Sequence, residues 1–174
     1  MNNNYVLACI DGASLTTAVC DYAAWMSQRT GAALKLLHNI EHRPQAAVAD
    51  LSGSIGLGSQ EELLEELTRV EQQRNRLLMK KGKLMLDAAS ERAVVAGVAD
   101  VDVWQQHGSL QESLIGLEEN IRVLVMGVRG DEHQEGQIGA HLETVIRSLH
   151  KPVLVVNTPF FTPKKIMLAY DGHD

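Results

Sequence analysis

Residues Val123-Leu124-Val125-Met126-Gly127-Val128-Arg129-Gly130 form a short apolar run that ends in two glycines. Three further runs are apolar at nearly every residue: Tyr5 to Ile10, Leu34 to Ile40 and Val153 to Val156. Strands that do not alternate with polar residues are covered on both faces, which is typical of a parallel sheet between two layers of helices. A fifth strand, Val101 to Gln106, alternates more.

Helical patterns lie between these strands. The apolar spacing predicts four helices, at Ser14 to Thr30, Gln60 to Ala89, Ser109 to Glu118 and Gly139 to Leu149. Strands that alternate with helices need crossover connections, which are right-handed almost without exception. The sequence therefore predicts an open, doubly wound α/β sheet. The long stretch from Glu41 to Gly58 has no periodicity, and we interpret it as a mobile loop.

The end of the chain repeats its beginning. Residues 166–172 (Ile-Met-Leu-Ala-Tyr-Asp-Gly) resemble residues 6–12 (Val-Leu-Ala-Cys-Ile-Asp-Gly) at an offset of 160 positions. A repeat with the period of a whole domain predicts one domain at 1–157, a linker at 158–164, and the first strand of a second, absent repeat at 165–174. Two prolines in the linker region interrupt both helix and strand.

Composition excludes several classes of function. A net charge of -6 argues against a nucleic-acid partner. The sequence contains no long uncharged apolar run of the kind that spans a membrane, and its N-terminus lacks the basic and apolar regions of a secretory signal. We therefore expect a soluble, cytoplasmic protein. Cys9 and Cys20 lack the spacing of a redox or metal pair, and the seven histidines show no ligand spacing, so neither a metal site nor a catalytic residue is predicted.

Two strand ends carry the candidate binding residues. Ligands of an open parallel sheet bind beyond the carboxyl ends of the strands, where the helices switch faces. The first strand ends at Asp11-Gly12, and the fourth runs into Gly127 and Gly130. These glycines and the start of the last helix at Gly139-Ala140-His141 would offer backbone N–H groups to a phosphate. Two alternatives stay open: the glycines are ordinary turn residues, and Asp11 is a helix cap.

With these motifs the chain resembles the universal stress protein family over residues 5 to 157. The similarity rests on Cys9-Ile10-Asp11-Gly12, on Leu36-Leu37-His38-Asn39-Ile40, on the Gly127 to Gly130 motif followed by Gly139-Ala140, and above all on residues 143–156. The resemblance implies a flavodoxin-like five-stranded parallel sheet of order 3-2-1-4-5, adenine nucleotide alpha hydrolase-like, that binds ATP or AMP, with Mg possible beside ATP.

The resemblance also assigns roles to residues. Asp11, Asn39 and Met126 would border the adenosine, and the phosphates would be surrounded by Gly127, Gly130, Gly139, Ala140 and His141. Three features depart from the family: a loop one residue shorter, Ala140 in place of the usual hydroxyl, and Asn39 in place of the usual apolar residue. Arg129 or His141 would compensate by facing the phosphates; the alternative is that both are solvated.

The function implied is a nucleotide sensor or regulator in the stress response, with slow ATP hydrolysis at most. The alternative is an interaction module of the same fold that does not bind nucleotide. In either case Val153 to Val156 is expected to be an edge strand that pairs in a homodimer, or with a second repeat.

Overall fold

The computed structural model describes residues 4–41, 57–129 and 140–169. Within these ranges the chain forms five strands: β1 Tyr5–Cys9, β2 Leu34–Ile40, β3 Val101–His107, β4 Ile121–Gly127 and β5 Val153–Val156. Four α-helices connect them: α1 Thr16–Thr30, α2 Leu57–Val95, α3 Leu110–Leu117 and α4 Ala140–Ser148. A single 3-10 turn, Glu118–Asn120, follows α3.

All strand pairs are parallel, and the sheet order is β3-β2-β1-β4-β5. The predicted doubly wound fold and its 3-2-1-4-5 order are therefore confirmed. Strand β1 lies at the centre, where Ala8 is opposite both Leu36 of β2 and Val125 of β4. Strand β5 is at the edge beside β4, as expected from the sequence.

The alternation of side chains along β1 builds two separate cores. Val6, Ala8 and Ile10 pack with α1 and α2 on one face of the sheet. Tyr5 and Leu7 pack with α3 and α4 on the other face. The helical layers thus change sides between β1 and β4, and this is the topological switch point of the sheet.

Helix boundaries differ from the prediction mainly in α2. The loop was expected to extend to Gly58 and the helix to end at Ala89, but α2 runs from Leu57 to Val95 and is therefore longer at both ends. Residues 42–56 of that predicted loop lie outside the described residues. Helix α1 ends as predicted at Gly31, whose φ of 63° is in the left-handed region that a glycine C-cap adopts readily.

The segment after β5 first packs on the domain and then leaves it. Phe160 contacts Tyr22 of α1 edge to face, with ring centroids 4.8 Å apart. Farther along, Ile166, Met167 and Leu168 are 89%, 92% and 87% exposed and are not in a strand. Residues 170–174 lie outside the described part, so the predicted strand of a second repeat stays a prediction. No helix in the described ranges is long and apolar enough to cross a membrane.

Candidate functional site

The carboxyl ends of β1 and β4 meet at the switch point. After β1 the chain turns through Asp11 and Gly12 towards α1, and after β4 it continues through Val128 and Arg129. The end of β1 is held by a hydrogen bond from Ile10 N to Leu37 O of 2.8 Å. The end of β4 is held by a bond of the same length from Val128 N to Val156 O. The two segments therefore border one crevice from opposite sides.

Asp11 is exposed and fixes the turn that leads into α1. Its Oδ1 accepts hydrogen bonds from Ala13 N and from Thr16 Oγ1, each 2.9 Å long. The N-cap residue of α1 is Leu15, which makes no side-chain capping bond. The carboxylate thus stabilises the turn before the helix and is not the helix N-cap that the alternative interpretation expected.

Gly12 brings the end of β1 close to α2. Its φ of 81° lies in the left-handed region, which a side chain disfavours. A Cβ placed on Gly12 would also lie only 2.5 Å from Met85 Sδ of α2. Helix α2 therefore covers the β1 side of the crevice at Met85, a residue that the sequence analysis did not connect with the site.

Gly127 has little free space. A Cβ at this position would lie 3.2 Å from Arg129 O and 3.6 Å from Leu15 Cβ. The distance to Arg129 O is tight, whereas the distance to Leu15 Cβ is an ordinary van der Waals contact, so a side chain here would crowd mainly the backbone of the turn after β4. This crowding fits the interpretation of Gly127 as a turn residue, and its predicted role in a phosphate site stays a prediction.

Arg129 has an unsatisfied buried donor. The side chain is half-buried, and its Nε has no hydrogen-bond partner among the described residues. A buried guanidinium N–H normally has an acceptor, and phosphate and carboxylate oxygens are its strongest partners. The β4 side of the crevice thus contains a donor that an anion would satisfy.

Asn39 uses its amide within the protein. Its Nδ2 donates to Gly108 O after β3, and its Oδ1 accepts from Ser113 Oγ of α3 at 3.0 Å. These bonds tie the end of β2 to the α3 layer. The side chain lies on the β2 side of β1, as the predicted role beside adenosine requires, but it is already engaged on both of its polar atoms.

His38 was not singled out by the sequence, yet it connects β1, β2 and α2. Its Nδ1 lies 2.6 Å from Ile10 O, and because a carbonyl only accepts, Nδ1 donates in this bond. The ring also lies against Gly82 of α2, since a Cβ on Gly82 would be 2.4 Å from His38 Cδ2. The alternation along β2 was the available signal, because it places His38 on the face opposite Asn39.

The remaining predicted residues are distributed as follows. Met126 is 5% exposed and belongs to the core beneath α3 and α4. Ala140 is the first residue of α4, as predicted, and His141 is the second. Gly130 and Gly139 lie outside the described residues. The structure thus brings Asp11, Gly127 and Arg129 to one crevice, with Met126 in the core below them.

The thiols are not activated. Burial, with a smaller contribution from the negative charge of Asp11, raises the pKa of Cys9 to about 12. Burial and the nearby Asp21 raise the pKa of Cys20 to about 11. Both groups are therefore protonated near neutral pH and are poor nucleophiles. The described residues also contain no group of three or more His, Cys, Asp or Glu side chains placed to hold a metal ion.

Comparison with known proteins gives consistent matches. The profile of the Universal stress protein family matches residues 3–157. Universal stress protein Slr1230 of Synechocystis sp. is 38% identical over 171 residues, a match that covers 96% of this chain and 60% of that protein. The chain thus spans less than two thirds of that relative's length.

Two solved structures share the fold. The hypothetical protein MJ0577 superimposes with a TM-score of 0.67 at 19% identity, over 91% of this chain and 98% of that one. The universal stress protein from Archaeoglobus fulgidus in complex with dAMP has a TM-score of 0.56 at 15% identity, over 89% and 98% of the two chains.

Proposed function

The chain belongs to the universal stress protein family, and from this premise we propose that it binds an adenine nucleotide, ATP or AMP, in the crevice between the ends of β1 and β4. The bound nucleotide serves as the signal of a cytoplasmic stress-response regulator. Catalysis is not part of the proposal beyond slow hydrolysis of ATP, with Mg accompanying ATP.

The observation that carries the proposal is the unsatisfied Nε of Arg129. It lies two residues after Gly127, at the switch point where open parallel sheets bind ligands. Leaving such a buried donor without a partner costs about 1–3 kcal/mol, and an anionic ligand removes that cost. We assign the phosphates to this side of the crevice, together with the backbone at the start of α4.

The adenosine belongs on the β1 side. Asp11 keeps a carboxylate at the surface of the turn while one of its oxygens holds Ala13 and Thr16. A ribose hydroxyl is a donor that suits a carboxylate acceptor. The Archaeoglobus fulgidus universal stress protein has the same fold and was solved in complex with dAMP, which supports an AMP-type ligand for this chain.

A domain of this fold that has lost nucleotide binding is the second candidate. Ala140 favours it, because an alanine at the start of α4 offers no hydroxyl to a phosphate. A missing neutral hydrogen bond costs about 1 kcal/mol, or several-fold in affinity. We therefore expect weaker binding than in relatives with Ser or Thr at this position, but not its loss.

The domain organisation is also a proposal. The relative from Synechocystis extends well beyond the matched part, and residues 166–172 repeat the pattern of residues 6–12. We propose that residues 165–174 begin a second unit of the same kind. Strand β5 would then pair either with that unit or with the β5 strand of a second copy.

Thermal unfolding in the presence of nucleotide tests the proposal. A ligand that binds only the native state at 100 times its Kd stabilises by about 2.7 kcal/mol. For a chain of this size that corresponds to a rise in Tm of about 5–11 °C. We expect such a rise with AMP or ATP and none with inorganic sulfate at the same ionic strength. An unchanged Tm at millimolar nucleotide would favour the module that binds no nucleotide.

A matched pair of arginine variants locates the site. Arg129→Met removes the unsatisfied donor and is expected to weaken nucleotide binding about tenfold, as for loss of a charged hydrogen bond. Arg122→Met removes the same charge from within β4, but Arg122 is exposed and contacts Thr30 O at the end of the strand far from Arg129. Calorimetric titration should show near-native affinity for Arg122→Met. Equal weakening in both variants would mean that Arg129 acts only through net charge.

A further inference from the structure

Helix α2 is much longer than the sheet that it covers. Its 39 residues span about 58 Å, whereas a seven-residue strand spans about 23 Å. Among the residues of α2 whose burial the structure describes, the buried ones all lie in its last part, at Gly82, Leu86, Ala89 and Ala93. None of the residues 62–81 is buried. About five turns of helix, residues 62–81, thus have no buried residue, and Gln105 of β3 contacts their C-terminal end through Met79 O.

This extension carries an apolar stripe. Leu63, Leu67, Val70, Leu77 and Leu84 follow one another at spacings of four, three, seven and seven residues, which are the spacings of a heptad repeat. Val70, Leu77 and Leu84 are 53%, 61% and 61% exposed. At 100° per residue, the stripe is turned about a third of a revolution from the side that contacts the sheet. Val70, Leu77 and Leu84 are therefore not covered by any layer in the part of the chain that the structure describes.

The charges of the same segment are divided between its two halves. Residues 62–71 contain Glu62, Glu65, Glu66 and Glu71, with Arg69 as the one basic residue. Residues 74–83 contain Arg74, Arg76, Lys80, Lys81 and Lys83 and no acidic residue. Two such helices side by side in parallel would oppose like charges, whereas an antiparallel arrangement opposes unlike charges.

We propose that the apolar stripe of α2 is a docking surface for the α2 helix of a second copy of this chain, in an antiparallel pair with its two-fold axis at Gln72. In this register, Leu67 of one copy lies in a layer with Leu77 of the other. Beside these layers, Glu66 of each copy lies opposite Lys80 of the other copy, so the two-fold axis makes this contact occur twice. Leu64 and Leu78 meet in the same way on the other flank.

Three independent features specify this register. The two-fold axis falls within one residue of Gln72 by each of three criteria. These are the pairing of Leu67 with Leu77 in the apolar layers, the opposition of Glu66 with Lys80, and the midpoint of the exposed segment 62–81. Because the exposed segment is centred on the axis, each domain lies beyond the paired part of the other helix and the two domains do not overlap. Arg74 and Lys81, which fall in the seam, can lay their aliphatic stems along it and direct their charges outward.

Two features oppose the pair and limit its strength. Glu71 lies beside the axis and faces its own copy, and Glu66 already forms an exposed ion pair with Arg69 of the same helix, with a distance of 2.9 Å. We therefore expect a reversible dimer whose affinity falls as salt increases. The interface is separate from the β5 edge, so the Val155→Lys variant serves as the background that removes association through β5.

Sedimentation equilibrium of single charge reversals tests the interface. Glu66→Lys is expected to weaken the dimer at least about tenfold, because two attractive contacts become repulsive. Glu65→Lys is the matched control, since it makes the same charge change one residue away on the outer side of the helix, and it should change Kd less than about threefold. Combining Glu66→Lys with Lys80→Glu should restore the native Kd. Equal Kd values for the two single variants, or a native protein that is monomeric at tens of micromolar, would overturn the proposal.

Disulfide formation tests the antiparallel direction. Gln73→Cys places a thiol beside the proposed axis and should crosslink two copies under mild oxidation. Glu66→Cys places its two thiols 14 positions apart along the pair, or about 21 Å, and should not crosslink. The native Cys9 and Cys20 are protonated at neutral pH and give the background rate. Crosslinking at position 66 as fast as at position 73 would show a parallel pair and overturn the register.

Discussion

At Gly82, α2 packs directly against side chains of β2 and β3, and replacing this glycine with alanine measures how much that approach matters. A Cβ at this position would lie 2.1 Å from Gln105 Nε2 and 2.4 Å from His38 Cδ2. Both atoms belong to side chains that are already engaged. Gln105 Nε2 donates to Met79 O at 3.1 Å, and His38 Nδ1 bonds Ile10 O at 2.6 Å. The substitution therefore forces two hydrogen-bonded side chains to move.

The expected magnitude follows from these two bonds. Each contributes about 0.5–1.5 kcal/mol, so displacing both costs about 1–3 kcal/mol. Alanine is favoured over glycine inside a helix by about 0.5–1 kcal/mol, which offsets part of that cost. We expect Gly82→Ala to lower the free energy of unfolding by up to about 2 kcal/mol. The opposite sign would be expected from helix propensity alone.

Gly116 in α3 provides the control. It is also helical, but a Cβ placed on it meets nothing within 4 Å. Gly116→Ala should therefore gain the higher helix propensity of alanine without displacing any side chain. The free energies of unfolding of the two variants should differ by about 1–3 kcal/mol. Urea unfolding gives this difference directly, and thermal unfolding should show a gap of about 2–12 °C.

The same experiment has a functional readout. Moving His38 loosens the end of β1 at Ile10, next to Asp11, so nucleotide affinity should fall in Gly82→Ala and stay native in Gly116→Ala. If Gly82→Ala stabilises the protein as much as Gly116→Ala does, α2 does not rest on His38 and Gln105, and the close approach that we describe is refuted.

Three further predictions concern thiols, the sheet edge and a surface ion pair. In the folded state Cys9 and Cys20 keep their protons up to pKa values of about 12 and 11, whereas unfolded thiols lose theirs near pH 9, so the free energy of unfolding should fall as pH rises above about 9. Urea midpoints at pH 8 and pH 10 measure this effect, and equal midpoints would contradict it. Val155→Lys should shift any β5-mediated dimer towards monomer by light scattering, and an unchanged mass would exclude β5 as an interface. Arg92 binds both carboxylate oxygens of Asp21, at 2.6 and 2.8 Å, and the pair is partly exposed. A double-mutant cycle with Arg92→Met and Asp21→Asn should therefore give a coupling energy below about 1 kcal/mol. A larger coupling energy would mean that the pair is shielded from solvent.

The fold was predictable because its signals are local. Strands that are apolar at nearly every residue, such as β1 and β5, require cover on both faces, and alternation with helices then leaves few topologies. The strand order came from the family resemblance and not from periodicity, since no local pattern states which strands are neighbours. The start of α2 was misplaced because its first residues lack the apolar spacing that marked the remainder of the helix.

The site was predictable only as a place along the chain. The position of Asp11 and Gly127 at strand ends follows from the order of elements, and so does their meeting at the switch point. The hydrogen-bond partners of Asp11 do not follow from the order of elements, because its carboxylate could equally have capped α1 or faced a ligand. The unsatisfied Nε of Arg129 and the contact of Met85 with Gly12 depend on side-chain packing between elements distant in sequence, which residue types and spacing do not encode.

The end of β2 shows how this packing limits what side chains can offer to a ligand. Strand geometry sends His38 towards α2 and Asn39 towards α3, and each is bound to backbone on its own side, at Ile10 O and at Gly108 O. Their polar atoms thus join the two helical layers to the sheet. What β2 presents at the crevice is then mainly backbone, and adenosine recognition there would rely on backbone N–H and C=O groups. A substitution of Asn39 is accordingly expected to act on nucleotide affinity indirectly, through the loop at Gly108 and the start of α3.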